Sequence, residues 1–191
     1  TRPSDTRKLN PSVSMYKKEA DNYGYNRYSG GRLIQMTTEE DPVLSTWVSD
    51  YTGLIKIFIY KIDEKALLEY LTYDSDGNQT NAKMDMSSYQ EVGNLEVESA
   101  GRESFDQVFP IEEPGIYFIR SEFSEGKLND CILVRSPYSS VVKEGNGEYI
   151  FWTQGVKDMK KVKGGLVTLY KLLDKPESLG NYHTNADGIT K

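Results

Sequence analysis

Residues 54–62 limit what this chain can become more than any other segment. Ile55, Ile57 and Ile59 fall on one side of an extended backbone, and Phe58, Tyr60 and Ile62 on the other, because successive side chains of a strand point to opposite faces. A strand that is apolar on both sides has to be central and covered above and below, which calls for layered β structure. Comparable runs recur at residues 32–37, 44–50, 95–98, 104–110, 116–123 and 131–135, separated by turn residues. That spacing predicts a β-sandwich. The 14 tyrosines agree, since aromatic side chains suit a pleated, half-buried surface.

One stretch departs from the period of two. In Asp63-Glu-Lys-Ala-Leu-Leu-Glu-Tyr-Leu71, Asp63 is a helix cap and Leu67, Leu68 and Leu71 share one side, so a helix of two or three turns follows the central strand. Residues 74–86 are polar and read as a loop, and Glu113-Pro114-Gly115 reads as a turn. Past Ser136-Pro137 the pattern begins afresh. Strands at 141–143 and 149–153 flank Gly145-Asn146-Gly147, a strong hairpin signal, and further strands at 166–172 and 179–183 precede a turn at Asp187-Gly188. Four strands leave a sandwich unfinished, so Lys191 is expected to fall inside a module. The resulting division is an N-terminal extension (1–30), a first sandwich (31–137) and a partial second sandwich (138–191). The fold class is mainly β, as tandem antiparallel β-sandwiches of fibronectin-III or Ig-like architecture with the second incomplete.

Charge and composition remove several functions. A net charge of −6 does not suit nucleic acid as the main partner, because phosphate binding needs concentrated Lys and Arg. Residues 1–30 carry six basic and three acidic groups among Tyr16, Tyr23, Tyr25 and Tyr28, a poor phosphate track. No run reaches the roughly 18 apolar residues of a membrane span, and no signal-peptide pattern follows Thr1. Cys131 is the single cysteine and reads as a buried strand thiol.

No catalytic, cofactor or metal residue emerges. His183 is the only histidine; it could meet Asp187 across a turn, but no nucleophile stands with it. One His and one distant Cys cannot complete a zinc site. Asp74, Asp76 and Asn78 alternate like calcium ligands, yet Gly77 falls at position four where an EF-hand loop needs glycine at six, and no Glu stands at position twelve. Glu39-Glu40-Asp41 and Glu112-Glu113 read as solvated edges, since adjacent carboxylates do not oppose each other across a cleft. The basic stretch 157–163 reads as a solvated loop, and Asn78-Gln-Thr80 is a glycosylation sequon in form only.

Three segments carry a family resemblance: Tyr149-Ile-Phe-Trp-Thr153, Lys160-Lys-Val-Lys-Gly-Gly-Leu-Val-Thr-Leu-Tyr170, and Thr184-Asn-Ala-Asp-Gly-Ile189. Together they resemble the macroglobulin-like domain of bacterial alpha-2-macroglobulins, in which a strand, a Gly-Lys-Pro type loop, a Val-x-Leu-Tyr strand and a Thr-Asp-x-x-Gly turn follow in that order. Lys161 stands where that family usually has proline, and Asn185 where it usually has aspartate. The preceding module is similar to the family's first such domain, through Ile57-Phe-Ile-Tyr-Lys-Ile62, Leu67-Leu-Glu-Tyr-Leu71, Pro114-Gly-Ile-Tyr-Phe-Ile119 and Cys131-Ile-Leu-Val134. The family's thioester motif, Cys-Gly-Glu-Gln, is absent from these residues.

The resemblance implies a framework part of a broad-spectrum protease trap, itself without catalytic or thioester chemistry. Its partners would be the remaining domains of the parent chain and, through the full-length protein, host or foreign proteases. It also implies a secreted, periplasmic or cell-surface location, with lipid anchoring of the parent as one form. A competing expectation is a ligand- or glycan-binding module of a bacterial surface protein, with Tyr23, Tyr25 and Tyr28 stacking on sugar rings; a third is an accessory region of a larger enzyme.

Overall fold

The computed structural model describes residues 12–17, 33–73, 84–123, 126 and 128–191. Its first part is one six-stranded sheet bent back on itself. The sheet is built from β1 (Ser12–Lys17), β2 (Leu33–Thr37), β3 (Val43–Ile62), β4 (Gln90–Val108), β5 (Gly115–Glu122) and β6 (Leu128–Ser136). The runs expected at 44–50 and 54–62 are a single 20-residue strand, and those at 95–98 and 104–110 join into the 19-residue β4. Polar residues at 49–53 interrupt the apolar pattern without ending the strand. The ladder between β3 and β4 slips between Val48 and Tyr51, Asp50 takes φ 56°, and Gly101 opposite Tyr51 takes φ 139°. A bulge of this kind sharpens the local twist and bends the ribbon.

The bend lets the same two strands serve both layers. The first half of β3 pairs with β1, its second half pairs with β5, and β4 follows it along both halves. Enclosed between the layers lie Leu44 and Val48 from one half of β3 and Ile55, Ile57 and Ile59 from the other, with Ile119 and Leu133, all buried. Met15 of β1 reaches across to Cys131 of β6, sulfur to sulfur 3.9 Å, and Asn129 donates to the Val13 carbonyl. Tyr51 meets Phe123 edge-on at 4.9 Å between centroids.

The opposite face of the sheet is covered by α1 (Glu64–Leu71), so the central strand is covered on both sides as its pattern requires. Asp63 caps the helix by accepting from the Ala66 N–H at 2.8 Å, and Thr72 closes it with its hydroxyl on the Leu68 carbonyl at 2.7 Å. The buried stripe is Ala66 and Tyr70, with Leu67 and Leu71 beside it at the edge; Leu68 stands apart from that contact. Tyr70 lies edge-on to Phe118 at 5.6 Å and donates to the Asp130 carbonyl at 3.0 Å. The sequence pattern missed this pair because a small residue and a tyrosine carry the contact that the leucines were expected to make.

Not every pairing is antiparallel. β2 runs parallel to β6, at the far end of the sheet from β1. Arg135 secures the β2–β3 turn by donating to the Glu40 carbonyl at 2.9 Å and the Thr38 carbonyl at 3.1 Å.

Residues 138–191 form two smaller sheets. β7 (Tyr138–Gly145), β8 (Glu148–Gly155) and β11 (Ile189–Thr190) make one, in the order β11-β8-β7, and β9 (Leu166–Leu173) with β10 (Lys175–His183) makes the other. The β7–β8 turn is Asn146-Gly147 at φ 52° and 78°, the doubly left-handed pair that matches strand twist. The strand expected at 179–183 begins earlier, at Lys175, and β11 is a fifth strand beyond the expected four.

Candidate interaction surface

Among the described residues, none of the titratable groups weighed from the sequence comes together as a reactive centre. His183 Nδ1 lies 3.4 Å from the Gly164 carbonyl, while Asp187 pairs with Lys161 Nζ at 2.7 Å. That ammonium holds the Asp187 carboxyl below the usual carboxylate range. Within the basic stretch 157–163, Asp158 accepts from the Lys160 N–H at 3.0 Å and faces its ammonium at 3.3 Å. Glu40 accepts from the Thr37 N–H and hydroxyl at 2.6 and 3.0 Å, and Glu113 pairs with Lys61 at 3.1 Å. Each acid therefore braces a turn or a strand edge.

Burial pushes the Cys131 thiol up to about 12, which leaves it an inert core group at neutral pH. Among the described residues no group of three or more His, Cys, Asp or Glu is placed to hold a metal. Asp74, Asp76, Asn78 and Thr80, together with Tyr23, Tyr25 and Tyr28, lie outside the described residues.

The motif that carried the resemblance is a structural knot. Thr184 Oγ1 accepts from the Gly165 N–H at 2.8 Å and donates to the Val162 carbonyl, and the Thr184 and Gly165 backbones also pair at 2.9 Å. Asn185 Oδ1 accepts from the Asp187 and Ile189 N–H groups at 2.8 and 3.1 Å. An aspartate could accept the same two bonds, so the departure at this position leaves the turn intact. Gly188 is required twice over: its φ is 73°, and a Cβ there would stand 2.5 Å from the Thr153 carbonyl oxygen. The knot ties the end of β10 to β11 and thereby to β8.

What the second part offers is surface. From Tyr138 to Lys191 the only buried residues are Thr184, Gly188 and Thr190. Pairing places Val142 opposite Phe151 on one face of the β7–β8 ribbon, with Tyr149 beside Phe151, and Val141 opposite Trp152 on the other face. Val141, Val142, Leu166 and Leu179 are each more than half exposed, at 59%, 53%, 60% and 58%. Val141 and Val142 face opposite sides of the β7–β8 ribbon and Leu166 and Leu179 belong to the β9–β10 sheet, so both small sheets carry exposed apolar side chains. Alternation in the sequence had identified these strands; it carries no sign of whether a second layer covers them.

The architecture is a bent, mainly antiparallel sandwich with a helix on one face, followed by a further β region. Two crystal structures of native alpha-2-macroglobulin from Escherichia coli share it. The fragment spanning domains MG0-NIE-MG1 superposes with a TM-score of 0.68 at 13% identity, covering 97% of this chain and 58% of that one. The fragment spanning NIE-MG1 gives a TM-score of 0.63 at 12% identity, covering 96% of this chain and 87% of that one. The chain thus spans a little over half of the three-domain fragment. No family model and no curated protein matches the chain by sequence.

Proposed function

We propose that the chain is a framework part of an alpha-2-macroglobulin-like protease trap, contributing two β units and no chemistry of its own. The observation that supports this reading is that 97% of the chain is covered by its match to the MG0-NIE-MG1 fragment of such a protein. The open β surface of residues 138–191 supports it, since a framework unit buries its sheets against neighbouring units and needs no reactive group. In this reading residues 31–137 are the first macroglobulin-like sandwich and 138–191 part of a second. The remaining domains of the parent chain are the immediate partners, and proteases are met through the whole protein. The location that follows is secreted, periplasmic or cell-surface. Among the described residues no helix is long and apolar enough to cross a membrane.

The test compares this chain with the full parent protein. Residues 1–191 in tenfold excess should leave trypsin cleavage of a protein substrate unchanged, while the parent should shield large substrates and spare small ones. Stoichiometric inhibition by residues 1–191 alone would refute the framework role. A parent open reading frame that continues into a hydrolase or a glycan-binding domain would refute the family reading.

A further inference from the structure

Among the described residues, residues 138–191 meet the first sandwich at two places. One is covalent: Ser136-Pro137-Tyr138, braced by hydrogen bonds from Val156 N–H to the Pro137 carbonyl at 2.9 Å and from Thr38 N–H to the Ser136 carbonyl at 3.0 Å. The other lies at α1, which neighbours β10, and its backbone hydrogen bonds come from a single residue past the helix end. Tyr73 N–H donates to the Leu172 carbonyl at 2.9 Å, and its own carbonyl accepts from the Asp174 N–H at 2.7 Å, so Tyr73 and Leu173 form an isolated parallel β-bridge. A side-chain contact stands nearby: Tyr170 Oη donates to Glu64 Oε1 at 3.0 Å.

The composition of this second connection matters. Tyr73 and Leu173 are 43% and 49% exposed, and neither cluster of buried core residues extends beyond Val134. Among the described residues no shared buried core therefore binds the two parts. One bridged residue and one exposed hydrogen bond are solvent-accessible contacts, which open at far lower free energy than the ladders of a buried sheet. The bridge nonetheless fixes direction, because it takes hold of the β9–β10 turn, where Asp174 sits at φ 56°. Its anchor is firm: Thr72, next to it, is buried and caps α1.

We propose that Tyr73 is a releasable latch: its bridge to Leu173 sets the angle between the two parts, and opening it lets residues 138–191 swing about Ser136–Tyr138 while the first sandwich stays folded. This device goes beyond the framework reading and stands whether or not the parent is a protease trap.

The experiment uses the whole chain and the double variant Tyr73→Cys with Leu173→Cys. Bridged strand neighbours fall within the roughly 4.4–6.8 Å between Cα atoms that a disulfide spans. Both side chains are exposed, so the substitutions spare the core, and Cys131 is buried and inert. In the native chain the Tyr73 and Asp174 amides should exchange at least about 100-fold faster than amides in the centres of β3 and β5, and oxidation of the cysteine pair should slow the Asp174 amide at least about tenfold. Small-angle scattering should show a narrower distance distribution for the oxidised pair than for the reduced one. Latch amides as slow as those of β3 and β5, scattering unchanged by the cross-link, or a folded variant that will not oxidise would each overturn the latch.

Discussion

The two halves of this molecule use the same material to different ends. Between Leu44 and Leu133, strand residues close on one another until Ile55, Ile57, Ile59, Phe118 and Ile119 have no solvent contact. Between Tyr138 and Lys191 the strands are as regular, yet Phe151, Leu169 and Leu172 stay partly exposed and Trp152 more so. Antiparallel ladders and tight turns are present in both. What separates them is a second layer: the first half makes its own by bending β3 and β4 through the bulge at Val48–Tyr51, whereas β7 to β10 stay within their sheets. Backbone pairing is therefore enough to draw a strand but not to bury it.

The sharpest way to break that comparison is to delete matched side chains. Phe118→Ala removes a fully buried ring that contacts Tyr70 edge-on and should cost about 3–5 kcal/mol in a urea titration. Trp152→Ala, on the open β7–β8 ribbon, should cost under about 0.5 kcal/mol. Equal losses would mean that the ribbon is covered in solution, and the contrast between the halves would fall. Gly188→Ala should come next, at about 1–3 kcal/mol, because it forces a side chain into positive φ against the Thr153 carbonyl. Its damage should be confined to the β8–β11 side, read as amide shifts at residues 184–190 with β3 and β5 unmoved.

Legibility in the sequence followed the same division. The two-sided strand at 54–62, the Asp63 cap and the Asn146-Gly147 hairpin were all readable, because each depends on local spacing or on one residue's backbone preference. The continuity of β3 was not: residues 49–53 look like an interruption, and only the partner strand with Gly101 shows them to be a bend. The parallel β2–β6 pair was hidden for a similar reason, since it depends on a partner strand distant in the sequence. Thr184-Asn185-Ala-Asp187-Gly188 was legible as a family motif, but its work as a knot appears only when Gly165, Val162 and Ile189 stand around it. The latch residue Tyr73 left no signal at all, because backbone groups make the bridge and any residue with an N–H, that is any but proline, would serve.

A subtler variant sharpens the comparison from within the packed half. Thr46 Oγ1 is buried between Leu44 and Val48 with no hydrogen-bond partner among the described residues, so it pays desolvation without return. Thr46→Val keeps the shape and removes the stranded hydroxyl, and should stabilise the chain by about 1 kcal/mol, seen as a higher urea midpoint at unchanged slope. A loss of stability would mean that the hydroxyl has a partner in solution. The corresponding exchange in the open half, Thr153→Val, should not stabilise, because its hydroxyl is already paired with Ser140 at 2.9 Å.

The smallest effect concerns charge at the knot and has a definite sign. The Asp187 carboxyl is held below its ordinary value of 3.8, first by its hydrogen bond from Lys161 and then by that ammonium's charge. A carboxylate depressed in the folded state contributes stability above its unfolded pKa and loses that contribution as pH falls through the folded value. Because the pair is exposed, salt should screen it and global stability should scarcely move. The readout is therefore local. Lowering pH from about 5 to about 2 should shift the amides of residues 185–189 with a midpoint below that of a model aspartate, and Lys161→Gln should return the midpoint toward the model value. Movement of the β3 and β5 amides in the same step would show that the knot is coupled to the packed core, which the separation of the two halves forbids.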